Sequence, residues 1–103
     1  MMKQELKILG VRTREDILFL LYDAIPRSAY KIAKEINLAT ATIIEHLNKL
    51  EDAGMVSSED TTKGNLRRRS YQITEKGKTT LIDFLKTYMQ RIKENPELAR
   101  AIG

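Results

Sequence analysis

Apolar positions along the chain follow two different periods. From residue 13 to about residue 53, and again from about residue 74 to residue 93, they recur every three or four residues, as on one face of a helix. After residue 53 this period is lost: Met55 and Val56 begin a strand, and residues 69–73 alternate between apolar and polar as in a second strand. The pattern therefore predicts three helices, a β-hairpin and a long final helix, which is a mainly α fold with a small β-hairpin.

The first helix is expected to form the centre of the core. Thr13 is a candidate N-cap, five consecutive apolar residues follow at 17–21, and Pro26 is expected to end the segment. A short amphipathic stretch with Leu6 and Leu9 precedes this helix. The chain thus begins with a helical extension in front of its first long apolar helix.

Two further helices are predicted on either side of a tight turn. Ser28 is placed to cap the second helix, and Asn37 is suited to the left-handed conformation that ends it. The third helix runs from about Thr40 to Ala53, and Ala39 before it offers no side-chain cap. Spacings of four and three place one apolar row of this helix in the core: Ile43, Leu47 and Leu50.

A hairpin and a last helix complete the predicted elements. Strands are expected to begin at Met55 and at Arg69, separated by a turn-rich segment, 60–65, so that the hairpin has a basic, flexible tip. Thr74 is placed to cap the last helix, and Pro96 to stop it. The apolar stripe of this helix consists of Leu81, Phe84, Leu85, Tyr88, Met89 and Ile92.

Charge is concentrated in one place. The chain has 18 basic and 14 acidic residues, a formal net charge of +4. Four basic residues lie within seven positions with no acid among them, and the rest of the chain is balanced at 14 against 14. These four are Lys63, Arg67, Arg68 and Arg69. The positive charge is therefore a local patch on the predicted hairpin.

Composition excludes several kinds of chemistry. The chain has no cysteine, which removes disulfides, thiolate zinc sites and cysteine nucleophiles. It also offers no acid–base pair and no glycine-rich phosphate loop, so we expect no enzyme, no cofactor and no metal site. The single histidine, His46, and the tyrosines Tyr30 and Tyr71 are expected to pack at the edge of the core.

The location expected from the sequence is the cytoplasm. No apolar run approaches the 20 or so residues that a membrane-spanning helix needs. The first five residues, MMKQE, lack the apolar core of a signal peptide. We therefore expect no contact with a membrane.

Two stretches resemble a known group of regulators. Residues 28–56, SAYKIAKEINLATATIIEHLNKLEDAGMV, resemble the helix-turn-helix of MarR-, ArsR- and PadR-type regulators. In these regulators a β-hairpin called the wing follows the helix-turn-helix. Residues 67–77, RRRSYQITEKG, resemble the second strand of that wing and the start of the helix after it. The resemblance covers about residues 13–93. It implies a winged helix-turn-helix fold with N- and C-terminal extension helices, and a homodimeric regulator of transcription that binds double-stranded DNA.

This resemblance implies three regions. An N-terminal extension, 1–12, is a candidate dimer contact, the winged helix-turn-helix domain occupies 13–80, and a dimerisation helix with its tail occupies 81–103. The dimer contact is expected on the apolar positions of both extensions: Leu6, Leu9, Leu81, Phe84, Leu85, Tyr88, Met89 and Ile92. A two-fold dimer would read two half-sites about one helical turn (~34 Å) apart.

The third helix is the expected recognition helix. Such a helix needs an apolar row that holds it on the domain and a free face that enters the major groove. Glu45 leaves two interpretations, a contact with a cytosine amino group or an ion pair with Lys49, and the ion pair is favoured. The candidate base contacts on the free face are Thr40, Ala41, Thr42, Ile44, Glu45 and Asn48.

The wing is expected to supply much of the affinity. Residues 39–53 contain three acidic residues and one lysine, a net charge of −2, so the third helix attracts phosphate poorly. We predict that Lys63 and two of the three wing arginines lie along the DNA backbone or minor groove. The alternative is a solvated hairpin whose charges serve solubility. The candidate backbone and wing contacts are Ser28, Lys31, Lys34, Lys63, Arg67, Arg68 and Arg69.

A second function remains open. The acidic third helix with an exposed Ile44 also fits a winged-helix module that binds proteins within a larger transcription or assembly complex. The sequence indicates neither the operator nor the regulated gene, and no small-molecule effector can be inferred from it.

Overall fold

The architecture is given by a computed structural model that describes residues 9–103. The predicted mainly α fold with a small hairpin is confirmed, and Leu6 lies outside the described residues. In chain order the elements are α1 (Arg12–Leu21), β1 (Arg27–Ser28), α2 (Ala29–Ile36), α3 (Thr40–Asp52), β2 (Val56–Lys63), β3 (Leu66–Ile73), α4 (Glu75–Lys93) and α5 (Pro96–Ile102).

Helix α1 begins and ends earlier than predicted. It starts at Arg12 with Val11 as N-cap, so Thr13 lies inside the first turn and the capping prediction for it is wrong. It ends at Leu21, before Pro26 is reached, because the side chain of Asp23 accepts the N–H of Ile25 at 2.9 Å and forms a competing local turn.

The loop after α1 is held by an ion pair. Arg27 donates to both carboxylate oxygens of Asp23, at 2.8 and 2.6 Å, and to the carbonyl of Leu20 at 3.1 Å. The hydrogen bonds that Asp23 accepts from Arg27, followed by the one from the N–H of Ile25, lower its pKa to about 2. The loop leads into β1, a two-residue strand that was not predicted from the sequence.

Three predicted helix-end signals are confirmed. The Ser28 hydroxyl accepts the N–H of Lys31 at 3.2 Å, and Asn37 ends α2 in the left-handed region with φ 64°. Thr74 caps α4 by accepting the N–H of Gly77 at 3.0 Å. Each signal depends on residues close in sequence, which is why the sequence was sufficient to find it.

The hairpin is longer and more regular than predicted. The three strands form an antiparallel sheet in the order β1-β3-β2, and a two-residue turn, Gly64-Asn65, joins β2 to β3. Gly64 has φ 65°, as the first central residue of a glycine-led hairpin turn requires. The predicted flexible segment 60–65 is wrong for residues 60–63, which pair with β3 and include the strand-favouring Thr61 and Thr62.

The core lies between α1, α2, α3, the base of the hairpin and the first turns of α4. Its centre includes the predicted row of α3, and all three residues of that row are fully buried. Three predicted dimer contacts, Leu9, Leu81 and Phe84, are also buried within this single chain. Their side chains already fill the domain's own core and leave little surface for a partner, and the dimer contact itself stays a prediction.

The core therefore crosses the predicted boundary between residues 80 and 81. Leu85 is half-buried and packs against this core, whereas in the later part of α4 Ile92 is half-buried and Tyr88 and Met89 are exposed. No helix within residues 9–103 is long and apolar enough to cross a membrane.

Candidate nucleic-acid interface

Helix α3 has one face in the core and the other in solvent. Its buried row, Ile43, Leu47 and Leu50, faces the core. On the outer side the side chain of Ile44 is 39% exposed, and Thr40 is half-buried beside the turn. The other predicted base contacts are exposed: Ala41, Thr42, Glu45 and Asn48. The helix thus presents a face, made mostly of short side chains, that no other element within residues 9–103 covers.

The hairpin carries its arginines on both faces. The strand register pairs Thr62 with Arg67 and Thr61 with Arg68, so successive arginines point to opposite sides of the sheet. Both arginines are exposed, and within residues 9–103 neither takes part in an ion pair. Lys63 belongs to β2, but its side chain is outside the described part.

Arg69 differs from its two neighbours because it is bound within the protein. Its Nη2 donates to the Ser58 hydroxyl at 2.8 Å and lies 3.5 Å from Oε1 of Glu51. Ser58 in turn donates to Oε2 of Glu51 at 2.5 Å, and Asp60 lies 3.9 Å from Nε of Arg69. The guanidinium is 5.8 Å from the ring centre of Tyr71.

Sequence reasoning missed the partners of Arg69. The sequence shows an acidic residue, Glu51, in the last turn of α3 and a hydroxyl residue, Ser58, on β2. It does not show that they lie close to Arg69, because that depends on the strand register. Glu51 and Ser58 are therefore contacts of Arg69 that only the fold brings together.

The start of α2 contributes a second basic surface. Lys31 and Lys34 are exposed and line an open groove with Ser28 and Glu35. Tyr30, expected at the core edge, is instead 68% exposed and lines the same groove. Its neighbour Ala29 takes the buried position of this turn, so the tyrosine points toward solvent. Tyr71, by contrast, is buried as expected.

This arrangement matches known regulators. Residues 12–58 match the family model described as "Bacterial regulatory protein, arsR family". The match begins with α1 and ends in β2. An uncharacterised HTH-type transcriptional regulator of Methanocaldococcus jannaschii is 37% identical over 62 residues, which are 60% of this chain and 64% of that protein.

Solved structures extend the similarity over a larger part of the chain. PadR of Bacillus subtilis in complex with operator DNA aligns with a TM-score of 0.63 and 30% identity, over 70% of this chain and 45% of that one. The chain is a winged helix-turn-helix protein. A transcriptional regulator homologue from Pyrococcus horikoshii OT3, at 24% identity, has the same fold, with a TM-score of 0.77 over 85% of this chain and 87% of its own.

The similarity is partial in length. The winged-helix protein spans 64% of the archaeal relative and 45% of the PadR chain that it matches. In its fold α2 and α3 form the helix-turn-helix, α3 has the position of the recognition helix, and β2–β3 is the wing.

The recognition helix carries two charged residues, Glu45 and Lys49, for which the sequence favoured an ion pair. No ion pair joins Glu45 to Lys49 in the described structure, so the favoured prediction for Glu45 is wrong. Both side chains are exposed, where an ion pair gains little over hydration.

His46 has a packing role, which the sequence favoured over a contact with phosphate, and its partner lies on α1. It is half-buried, and its Nδ1 accepts a hydrogen bond from Nε of Arg14 at 3.2 Å. Burial, followed by the charge of Arg14, lowers the pKa of His46. Among residues 9–103 no cluster of three histidine or carboxylate side chains could hold a metal ion.

Proposed function

We propose that this winged-helix protein binds double-stranded DNA as a transcriptional regulator. Helix α3 would enter the major groove, and the wing would lie on the backbone or in the minor groove. The observation that carries the proposal is the coexistence of an uncovered outer face on α3 and exposed, unpaired arginines on the adjoining hairpin. PadR, a structural neighbour, is seen in complex with operator DNA.

The chemistry of the α3 face suits the reading of bases. Short side chains allow the helix backbone to come close to base edges in a groove about 12 Å wide. Thr42 can donate a hydrogen bond to a base or phosphate oxygen, and Asn48 has the two-sided hydrogen bonding that suits adenine. Ile44 offers an apolar contact for a thymine methyl group.

The wing supports the proposal electrostatically. Recognition helix residues 39–53 have a net charge of −2, from three acidic residues against one lysine. Arg67 and Arg68 are exposed, with Lys31 and Lys34 on α2 as further cations. Cations that neutralise phosphates release condensed counterions, and this release supplies affinity that falls with salt.

A homodimer completes the proposal. Tyr88 and Met89 on the later part of α4 are exposed, and Leu85 and Ile92 beside them are half-buried. A second copy packed on this stripe would bury these apolar side chains and present two recognition helices with two-fold symmetry. The dimer would then span two half-sites about one turn of DNA (~34 Å) apart.

Salt-dependent duplex binding tests the proposal. Arg68→Ala should weaken binding to every duplex and reduce the slope of log K against log salt by about 0.9, because one phosphate contact is lost. Arg100→Ala, an exposed arginine on α5, is the matched control and should leave the slope unchanged. Fluorescence anisotropy from low to moderate salt measures both. No duplex affinity at low salt would remove the proposal.

A protein-binding role is the second candidate, and it is favoured by the acidic character of α3 and the 39% exposure of Ile44. In that case a protein partner would cover the face proposed here for bases. Stoichiometric co-purification with one partner that is lost on Ile44→Asp, combined with no retardation of DNA, would select this role.

A further inference from the structure

Arg69 connects three parts of the site. It lies on β3, its Nη2 donates to Ser58 on β2, and the same nitrogen is 3.5 Å from Glu51 in the last turn of α3. Ser58 donates to the other oxygen of Glu51, which closes the network. We call this network, Glu51, Ser58 and Arg69, the Arg69 bridge.

Within residues 9–103, the bridge supplies hydrogen bonds and an ion pair between the exposed part of the wing and the recognition helix. At the base of the hairpin, Val56, Ile73 and Tyr71 are buried in the core. Beyond Ser70, which is half-buried, residues 66–69 of β3 are exposed. The direction of the hairpin tip relative to α3 is therefore set by the buried base and by the Arg69 bridge.

The charge of Arg69 is already met within the protein. Glu51 and Asp60 place two carboxylates 3.5 and 3.9 Å from its nitrogens, and the guanidinium also lies over the Tyr71 ring. Each exposed ion pair is weak alone, but a planar guanidinium held at several points is more restrained. A phosphate would have to displace these partners, whereas Arg67 and Arg68 have no ion pair to break.

We propose that Arg69 is a positioning residue that fixes the angle between wing and recognition helix, and that it is not a phosphate contact. One consequence of the inference rests on the proposed DNA binding, namely that α3 and the wing tip contact the same duplex. It assigns phosphate contact to Arg67 and Arg68, the two arginines of the same strand that have no ion pair.

A distance measurement on the free protein tests the bridge directly. Because the chain has no cysteine, Lys49→Cys on α3 and Asn65→Cys at the turn can be spin-labelled selectively. Electron-spin distance measurements should give a narrow distribution in the parent. The distribution should broaden with Glu51→Ala, with Arg69→Ala and with Arg69→Lys, since lysine keeps the charge but lacks the planar fork. Arg67→Ala, on the same face and two residues nearer the tip, should leave it narrow.

Duplex binding supplies the second readout, taken at a temperature where circular dichroism shows every variant folded. Arg69→Ala should lower affinity about fivefold at every salt concentration and leave the salt slope unchanged. Arg67→Ala should reduce the slope by about 0.9. A merely stabilising role for Arg69 would change the melting temperature but not the affinity of the folded protein.

Two results would overturn the inference. One is an unchanged distance distribution in both Glu51→Ala and Arg69→Ala. The other is a salt slope that falls by about 0.9 in Arg69→Ala, which would make Arg69 a phosphate contact. A parent chain that binds no duplex contradicts the proposed function alone, because the distance measurement needs no DNA.

Discussion

At the scale of single residues, His46 links the recognition helix to α1 through the hydrogen bond from Arg14. Burial, Arg14 and Lys49 lower its pKa, while Glu45 acts in the opposite direction. The folded protein therefore binds a proton at this site less readily than the unfolded chain does. Protonation also removes the acceptor that Arg14 uses, so the contact between α1 and α3 weakens at acidic pH.

The expected result is a pH-dependent stability. Well above pH 6.5, the ordinary pKa of histidine, His46 is neutral in both states and the free energy of unfolding does not depend on its titration. As the pH falls below 6.5 the unfolded chain takes up the proton first, so the free energy of unfolding decreases until the pH passes the lowered pKa of the folded state. Urea unfolding at pH 7.5, 6.5 and 5.5 measures this decrease.

His46→Gln is the matched control for that measurement. Glutamine cannot titrate, so the difference between parent and variant stability should shrink as the pH falls. Parallel pH profiles for the two proteins would show that His46 has the same pKa in the folded and unfolded states.

At the scale of elements, the junction between α3, the wing and α4 depends on Gly77. A Cβ at this position would lie 2.2 Å from the carbonyl oxygen of Met55 and 2.8 Å from Cγ1 of Ile73. The Met55 carbonyl belongs to the backbone, which cannot move away as a flexible side chain can. Gly77→Ala should therefore lower the free energy of unfolding by about 1–3 kcal/mol or more. Urea titration of the purified variant measures the change.

Gly64→Ala separates this steric effect from the loss of a glycine. Gly64 has φ 65° and no atom within 4 Å of an added Cβ, so its cost should be only the strain of the left-handed conformation, about 1–2 kcal/mol. It should also leave the α4 junction intact. A Gly77→Ala protein as stable as the parent would contradict the close contact with Met55.

The elements also show how far the sequence alone reached. Ser28, Asn37 and the buried row of α3 were predictable, because caps and helical periodicity are local signals. Strand β1 was not, since its two residues are defined by pairing with Ser70 and Tyr71 far along the chain. The full length of the hairpin was missed for a related reason. Residues 60–63 have a turn-rich composition, and their pairing with β3 depends on a strand register that the sequence does not show.

The candidate site divides in the same way. The exposed face of α3 followed from its apolar row, and the wing arginines followed from charge clustering. The engagement of Arg69 by Glu51 did not, because it requires the angle between a helix and a hairpin. The burial of Leu9 and Phe84 could not be predicted from the sequence either, because an apolar stripe has the same pattern whether it covers its own core or a partner.

At the scale of the whole molecule, the later part of α4 is expected to join two copies. Tyr88→Glu would place a charge on the stripe that remains outside the core, and burial of an unpaired carboxylate in a dimer contact is costly. The mass measured by light scattering should fall from that of two chains to that of one. Gln90→Glu adds the same residue on the opposite face of α4 and should leave the dimer intact.

That prediction has a clear negative outcome. A parent chain with the mass of one protomer at high micromolar concentration, or a Tyr88→Glu protein that remains a dimer, would remove α4 as the contact. The circular dichroism spectrum of Tyr88→Glu should match that of the parent, because Tyr88 is exposed in the single chain.

The most direct test of the central claim is selection of bound duplexes from a random pool, performed in parallel on the parent, Asn48→Ala and Arg68→Ala. If α3 reads bases while the wing holds phosphates, the parent should enrich one motif with two half-sites about one turn apart. Asn48→Ala should change the preferred base at one position in each half-site, and Arg68→Ala should enrich the same motif more weakly. Enrichment of no motif by the parent, or a motif unaffected by Asn48→Ala and altered by Arg68→Ala, would contradict the account.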